Sequence, residues 1–369
     1  MLFPFTYFMA FQYAVVARPY VLLPLFTFAA AHTFADADFH PWRFVAATSA
    51  LALLCAPGTM IAIGLMAART WYVFRSWSNI PSDIRKRMLA AALVFAVVLV
   101  FVAFINWPPA DRSNVASDRI ADNTTFGYKL IPRDLALAFL GSPMPSAAFL
   151  VIVGLWCACH RRLAAFVFPT AIVLGFLLLI YGYLWHTGAL TFGVVAALWI
   201  GWPVSHGNVS KLERALNVSL MVGLGALLGV QIYSTVRTVA MDYSRPYSGS
   251  LDAANYLKSV GATRDSICGL DFHSVALQPY FPHSIYTNWP EGESFWRFEK
   301  GNRSGEKCVS PMWAVLPICC NGAEKRTFPE KDRYIRSMGY IPVHFSPGSL
   351  FFEGKQAEPT EFVIYRQIQ

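Results

Sequence analysis

The stretch LAAFVFPTAIVLGFLLLIYGYLWHTGALTFGVVAALWIGWPVSHGNVS, residues 163–210, runs 48 positions without Asp, Glu, Lys or Arg. As one helix rising 1.5 Å per residue it would extend about 72 Å, more than twice a hydrocarbon core of roughly 30 Å. It reads as two membrane passes turning at Trp185, His186, Thr187 and Gly188. Outward from this stretch the same logic finds further passes. Phe44 to Ala68 is uncharged, as is Met88 to Ile105, extended by Asn106 and Trp107. Leu135 to Cys159 is uncharged but interrupted by Gly141, Pro143 and Pro145, so its helix is expected to start near Ser146. Ala215 to Val236 carries Gly223 and Gly225, a spacing that permits close helix packing. Leu2 to Val16 and Pro19 to Ala35 read as two shorter passes or a re-entrant pair around Arg18. The expectation is about eight spans in an α-helical multi-pass membrane domain over residues 1–240, with an external loop at 107–145. A composition of 55% hydrophobic and 14% charged residues excludes an ordinary soluble protein.

Charge placement orients the spans and excludes a nucleic-acid partner. Residues 1–240 hold 16 Lys and Arg against 8 Asp and Glu, whereas residues 241–369 hold 14 against 14. The net +8 is thus scattered over short loops between apolar spans and forms no basic stripe on a folded face. Alternating passes gather Arg18, Arg69, Arg75, Arg85, Lys86, Arg87, Arg161, Arg162, Lys211 and Arg214 on one side, with only Asp83 and Glu213. That side is expected to be cytoplasmic. The other side holds Arg43, Arg112, Arg119, Lys129, Arg133 and Arg237 balanced by six aspartates. The expected location is a bacterial inner membrane, with the C-terminal segment in the periplasm.

Residues 241–369 change pattern to short alternating elements. Helices are expected at Leu251–Val260, Val275–Tyr280 and Lys331–Met338, and strands at Ser266–Leu270, Ser284–Thr287, Met312–Leu316, Tyr340–Phe345 and Glu361–Ile368. The expected fold is a small extracytoplasmic α/β domain with a partly parallel sheet. Cys268, Cys308, Cys319 and Cys320 fall in it, where an oxidising compartment permits disulfides, with three pairings open. Cys55, Cys157 and Cys159 lie in spans as small apolar fillers. No Cys-x-x-Cys or histidine cluster suits structural zinc.

Several polar residues stand where chemistry would need them. Asp36 and Asp38 form an Asp-x-Asp near His32 and His40 in what alternation makes an external turn; they suit an acid/base pair or a divalent metal, and equally a solvated acidic turn. His186, on the outer turn beside Trp185, could protonate a phosphate oxygen or serve as an interfacial belt residue. Arg112 and Arg119, with Lys129 and Arg133, could clamp a phosphate. Arg133 to Leu140 suits a helix lying in the interface. Asp271 and His273 follow an expected strand, a common ligand position in α/β sheets. No span carries Asp, Glu or Lys near its centre, which disfavours a secondary transporter.

Two regions resemble a known family. Gln12-Tyr13-Ala14-Val15-Val16-Ala17-Arg18-Pro19-Tyr20-Val21-Leu22, followed by Leu51-Ala52-Leu53-Leu54, resembles the Ala-Arg-x-Tyr region of bacterial GT-C type glycosyltransferase-like membrane proteins, relatives of protein O-mannosyltransferases. Tyr181-Gly182, Trp185-His186-Thr187-Gly188, Leu198-Trp199, Gln231, Asp242, Tyr247-Ser248 and Ala253-Ala254-Asn255-Tyr256-Leu257 are similar to that group's closing spans and the start of its outer domain. The resemblance implies transfer of a sugar from a polyprenyl-phosphate donor to a glycan or protein acceptor at the outer face. It also implies an essential acid in the first external loop, which would precede Met1, so a chain lacking this N-terminal catalytic region is expected to be inactive or impaired. The competing expectation is a non-catalytic membrane protein whose outer domain binds an envelope glycan or protein.

Overall fold

The computed structural model describes residues 3–12, 19–38, 40–106, 131–179, 186–202, 210–262, 266–270, 272–288, 311–319, 323–353 and 355–368. The chain is mostly helical with a small sheet, and divides into a helical unit ending at Thr235 and a second compact unit over Val236–Gln369.

The helical unit begins with a 3-10 turn at Phe3–Phe5 and a π-helix at Tyr7–Gln12. Its helices are α1 (Leu23–Phe34), α2 (Pro41–Leu54), α3 (Ala56–Arg75), α4 (Ser82–Asn106), α5 (Ile131–Ala138), α6 (Pro143–Cys159), α7 (Leu163–Leu179), α8 (Gly188–Gly201) and α9 (Lys211–Ser244). Among the described residues, three segments, Tyr20–Ala37, α4 and α9, are long and apolar enough to cross a membrane, and the α5–α6 pair, bent by 72°, adds a fourth if counted as one span.

Burial patterns explain the arrangement. α8 is apolar all round and buried on nearly every side, as expected of a helix enclosed by others. By contrast, α4 buries only Ala91, Phe95 and Val102, a stripe at helical spacing that includes an i, i+4 step, while Leu89, Leu93, Val97, Val100, Phe101 and Phe104 are exposed. Such an apolar exterior belongs in hydrocarbon. Small residues set the closest approaches. A Cβ on Gly64 would stand 2.3 Å from Pro169 Cα, and one on Gly223 would stand 2.8 Å from the Phe149 ring. Gly225 has nothing within 4 Å, so only the first glycine of the expected pair makes a close contact.

The expected span Phe44–Ala68 is two helices. Pro57 inside one continuous helix would leave the Leu53 carbonyl without its amide and clash with it. The chain instead turns at Cys55, in extended conformation at φ −169°, ψ 164°, and Pro57 falls in the first turn of α3, where a missing N–H costs nothing. Thr59 secures the turn, its Oγ1 donating to the carbonyls of Ala52 (2.7 Å) and Cys55 (3.2 Å). A Cβ on Gly58 would fall 2.4 Å from the Leu51 carbonyl oxygen, so the two helices meet closely.

The second unit holds α10 (Ser250–Ser259), a long 3-10 segment (Phe272–Tyr280), α11 (Ala323–Ser337) and strands β1 (Ile267–Gly269), β2 (Trp313–Cys319), β3 (Tyr340–Ser346), β4 (Ser349–Phe352) and β5 (Lys355–Gln367). The sheet order is β1-β2-β5-β3, with β4 also on β5; β1 pairs with β2 in parallel and the other pairings are antiparallel. Period-2 alternation sends Trp313, Val315, Phe362 and Ile364 into a core with Ala253, Leu257 and Leu277, and Ala314, Leu316, Val363 and Tyr365 into a second core with Ile335. Tyr365 Oη donates to Asp332 Oδ1 at 2.6 Å, fastening α11 to the sheet. The expected strand Ser284–Thr287 shrinks to a single bridge between Tyr286 and Ile267. Asn288 explains why it stops there: its side-chain amide accepts from Gly269 N (3.0 Å) and donates to Gly269 O (2.7 Å), taking the place of a strand partner. Cys268 is disulfide-bonded, and Cys55, Cys157 and Cys159 are free.

Candidate functional site

The helical unit has two chemically distinct ends. At the first, Arg69 is buried with its guanidinium 5.7 Å from the Phe34 ring, Tyr72 meets Phe34 edge to face, and Arg162 lies over Tyr72 at 5.7 Å. Trp156 is fully buried there, donating from Nε1 to Asn217 Oδ1 (2.7 Å) and packing against His160 and Trp202. This end gathers the C-termini of α1, α3, α6 and α8 with the N-termini of α2, α4, α7 and α9.

At the opposite end, Tyr20 Oη and His186 Nε2 lie 3.2 Å apart, at the N-terminal side of α1 and α8 respectively. His186 is 3% exposed and Thr187 1%, so this pair is part of the protein interior. Phe28 packs against Trp199 further along the same two helices, which therefore run in parallel. Beside His186 stands α5. Its C-terminal carbonyls have no helical donors, and neighbouring helices supply them. Thr191 Oγ1 of α8 donates to Ala138 O at 2.5 Å, and Gln231 Nε2 of α9 to Phe139 O at 3.4 Å. Ser146 Oγ of α6 accepts from Leu140 N at 3.1 Å. One turn before Ala138, Asp134 is fully buried; its Oδ1 accepts from Nε (3.0 Å) and Nη2 (2.8 Å) of Arg133, whose side chain is 42% exposed. Asp134 Oδ2 and Gln231 Oε1 are buried and accept no hydrogen bond.

This geometry corrects the sequence-based placement of the site. His186 lies directly before α8, but Asp36 and Asp38 are not on its side of the bundle. They close a 3-10 turn, Ala35–Asp38, directly after Phe34, at the arginine-rich end. The 12 residues of α1, about 18 Å, separate that turn from Tyr20. Asp36, His32 and His40 are exposed, and among the described residues no group of three or more His, Cys, Asp or Glu could hold a metal. Arg112, Arg119 and Asp271 lie outside the described residues. Of the loop cations, Arg133 is described, and it grips Asp134. Sequence reasoning passed over Asp134, Tyr20 and Thr191 as site residues; the available signal was an acid immediately after an arginine at the start of an apolar, helix-spaced run.

In the second unit, Asp252 of α10 meets His344 of β3, with Oδ2 and Nε2 2.8 Å apart. The Tyr256 ring stacks on His344 at 4.2 Å. The His344 ring beside it holds the Asp252 carboxyl below the ordinary carboxylate range. No known protein family, no curated protein and no solved structure matches the chain.

Proposed function

We propose that the chain is an integral membrane glycosyltransferase of GT-C type, acting at the His186 end of its helical unit on a polyprenyl-phosphate-linked sugar, with a glycan or protein as acceptor. The observation that carries this reading is the partly buried Tyr20–His186 pair at the starts of α1 and α8, next to a helix whose end is held by polar side chains from three others. A hydrogen-bonding imidazole at a membrane boundary is suited to the phosphate of a lipid whose chain lies in hydrocarbon. The opposite end carries Arg43, Arg69, Arg75, Arg85, Lys86, Arg87, Arg161, Arg162, Lys211 and Arg214 against Asp36, Asp38, Asp83 and Glu213, which supports a cytoplasmic position for it. The His186 end then faces the periplasm of a bacterial inner membrane. Nucleotide sugars are not available there, so a lipid-linked donor is required. The bonded state of Cys268 fits the same oxidising side for the second unit. Eight helices, α1 to α4 and α6 to α9, are read as the passes.

A second reading has one observation in its favour: Asp36 and Asp38 stand at the arginine-rich end, away from the proposed donor. In it the helices anchor a non-catalytic protein whose α/β unit binds an envelope glycan or protein. Transfer from a polyprenyl-phosphate hexose, measured with the full chain in nanodiscs, separates the two. Under the enzyme reading, His186→Ala lowers transfer at least tenfold, while Asp36→Asn and Asp38→Asn leave it unchanged. Loss of transfer in the aspartate variants alone would move the site to the other end, and a wild-type chain that neither binds nor transfers the lipid-linked hexose would leave the second reading.

A further inference from the structure

Two acceptor atoms on the α5 platform are buried with no donor directed at them: Oδ2 of Asp134 and Oε1 of Gln231. Both side chains are otherwise fixed. Asp134 is held through Oδ1 by a two-pronged contact from Arg133, and Gln231 through Nε2 by the Phe139 carbonyl. The two attachment points are close in the chain: Asp134 lies in α5 and Phe139 directly follows its last residue. Buried polar atoms are nearly always paired, and a carboxylate oxygen is among the least tolerable to leave without a donor. Two such acceptors, Asp134 on α5 and Gln231 reaching from α9 to the carbonyl just past the end of α5, call for a ligand that brings several donors of its own.

A hexose ring is such a ligand, since it presents several hydroxyl groups within one small rigid frame. Arg133 completes the match. Its guanidinium is oriented by Asp134 and its side chain is 42% exposed, so a cation with fixed geometry reaches the surface beside the buried carboxylate. Guanidinium groups recognise phosphate oxygens through the same geometry. Resting on the glycosyltransferase reading, we propose that α5 is the headgroup subsite for the lipid donor. Asp134 and Gln231 accept hydrogen bonds from sugar hydroxyls, and Arg133 faces the phosphate that joins sugar to lipid. Asp134 thereby selects a sugar-bearing lipid over the bare polyprenyl phosphate.

The test uses the full chain in nanodiscs and two probes, a short-chain polyprenyl phosphate and the same lipid bearing one hexose. Asp134→Asn keeps the shape and the contact with Arg133 but replaces the acceptor Oδ2 with a donor. It should weaken the hexosyl lipid tenfold or more, the effect expected of losing a hydrogen bond to a charged group, and leave the bare phosphate within about twofold. Arg133→Gln should weaken both probes. On the wild-type chain, hexosyl lipids lacking one hydroxyl at a time supply a check that does not depend on a variant folding. One deoxy lipid should lose as much affinity as Asp134→Asn causes, and combining the two should cost little more than either alone. Unchanged hexosyl-lipid binding in Asp134→Asn, equal loss of both probes, or no sensitive hydroxyl on the wild-type chain would each overturn the subsite. If the wild-type chain binds neither lipid, the glycosyltransferase reading itself fails, and the subsite with it.

Discussion

Replacing Gly64 with alanine should destabilise the helical unit although alanine is the better helix former. The new Cβ would lie 2.3 Å from Cα, 2.7 Å from N and 3.0 Å from Cβ of Pro169. Carbon atoms in ordinary contact sit about 3.5–4.0 Å apart, so α3 and α7 would have to separate by more than about 1 Å. The obstructing atoms are mainly backbone and cannot rotate away. Overpacking of this kind costs about 1–3 kcal/mol, and a contact with backbone belongs at the upper limit. Helix propensity returns about 1 kcal/mol on going from glycine to alanine, leaving a net loss near 2 kcal/mol. Gly225 and Gly229 provide the control, because a Cβ at either meets nothing within 4 Å. There the same substitution should be neutral or gain up to about 1 kcal/mol. Thermal unfolding in one detergent at one scan rate should place Gly64→Ala roughly 4–8 °C below wild type and Gly225→Ala at or above it. Pro169→Ala should not rescue Gly64→Ala, since Cα and N of residue 169 remain where they are. A Gly64→Ala protein that unfolds with or above the wild type would refute the close approach of α3 and α7.

Three further outcomes follow from polar contacts. Thr191→Val and Gln231→Leu each remove a donor from a buried α5 carbonyl and should cost about 1–3 kcal/mol, with residues 131–141 becoming the first site of proteolytic cleavage; cleavage elsewhere first would show that α5 is held by other means. Asp252 has a lowered carboxyl pKa because of His344, so its contribution is present above the unfolded value of about 3.9 and is lost as pH falls through the lower folded value. The Asp252 side chain is 56% exposed, which limits the effect to under about 1 kcal/mol, and Asp252→Asn should flatten that acid limb of the stability curve. Glu353 sits in the left-handed region at φ 49°, and burial pushes its carboxyl up from 4.5 to about 8. Stability should therefore decline as pH rises across that window and level off above it. Glu353→Gln should abolish the slope, and Glu353→Gly should raise stability at all pH values by relieving the backbone; a slope that survives in the glutamine variant must come from another group.

The α/β unit was the more legible half because its elements report through period 2 and through helix spacing alone. Trp313 to Leu316 and Phe362 to Tyr365 alternate between two cores, and Ala253 and Leu257 fall one turn apart on the buried face of α10. What the pattern could not show was Asn288 supplying to Gly269 the bonds that a strand would otherwise provide, or β4, whose four residues are too few to establish a period. The candidate site was harder to read for a related reason. Asp134 acquires its meaning from Thr191 and Gln231, 57 and 97 residues further along the chain, which hold the end of its helix. Sequence spacing suggests a turn at His186, but its hydrogen-bond partner Tyr20 is 166 residues away.

The side of the bundle assigned to a residue depends on how the passes before it are counted. Reading Leu2–Val16 as a pass reverses the side assigned to everything after it. Phe5 O accepts from Thr235 Oγ1 at 3.1 Å, and Tyr20 pairs with His186, so the chain enters and leaves that segment near the same end of the bundle. Reading Phe44–Ala68 as one pass makes a second reversal, because Cys55 breaks it into α2 and α3. The two reversals cancel by Arg69. Asp36 and Asp38 fall between the two. A count of passes is thus a parity, indifferent to paired errors, whereas the position of any residue between the errors is decided by them. The charge bias does not separate the alternatives: with Arg43, Asp36 and Asp38 at the arginine-rich end, its cations still far outnumber its acids. Contacts across the bundle, such as Arg69 over Phe34, are what place an acid at one end or the other.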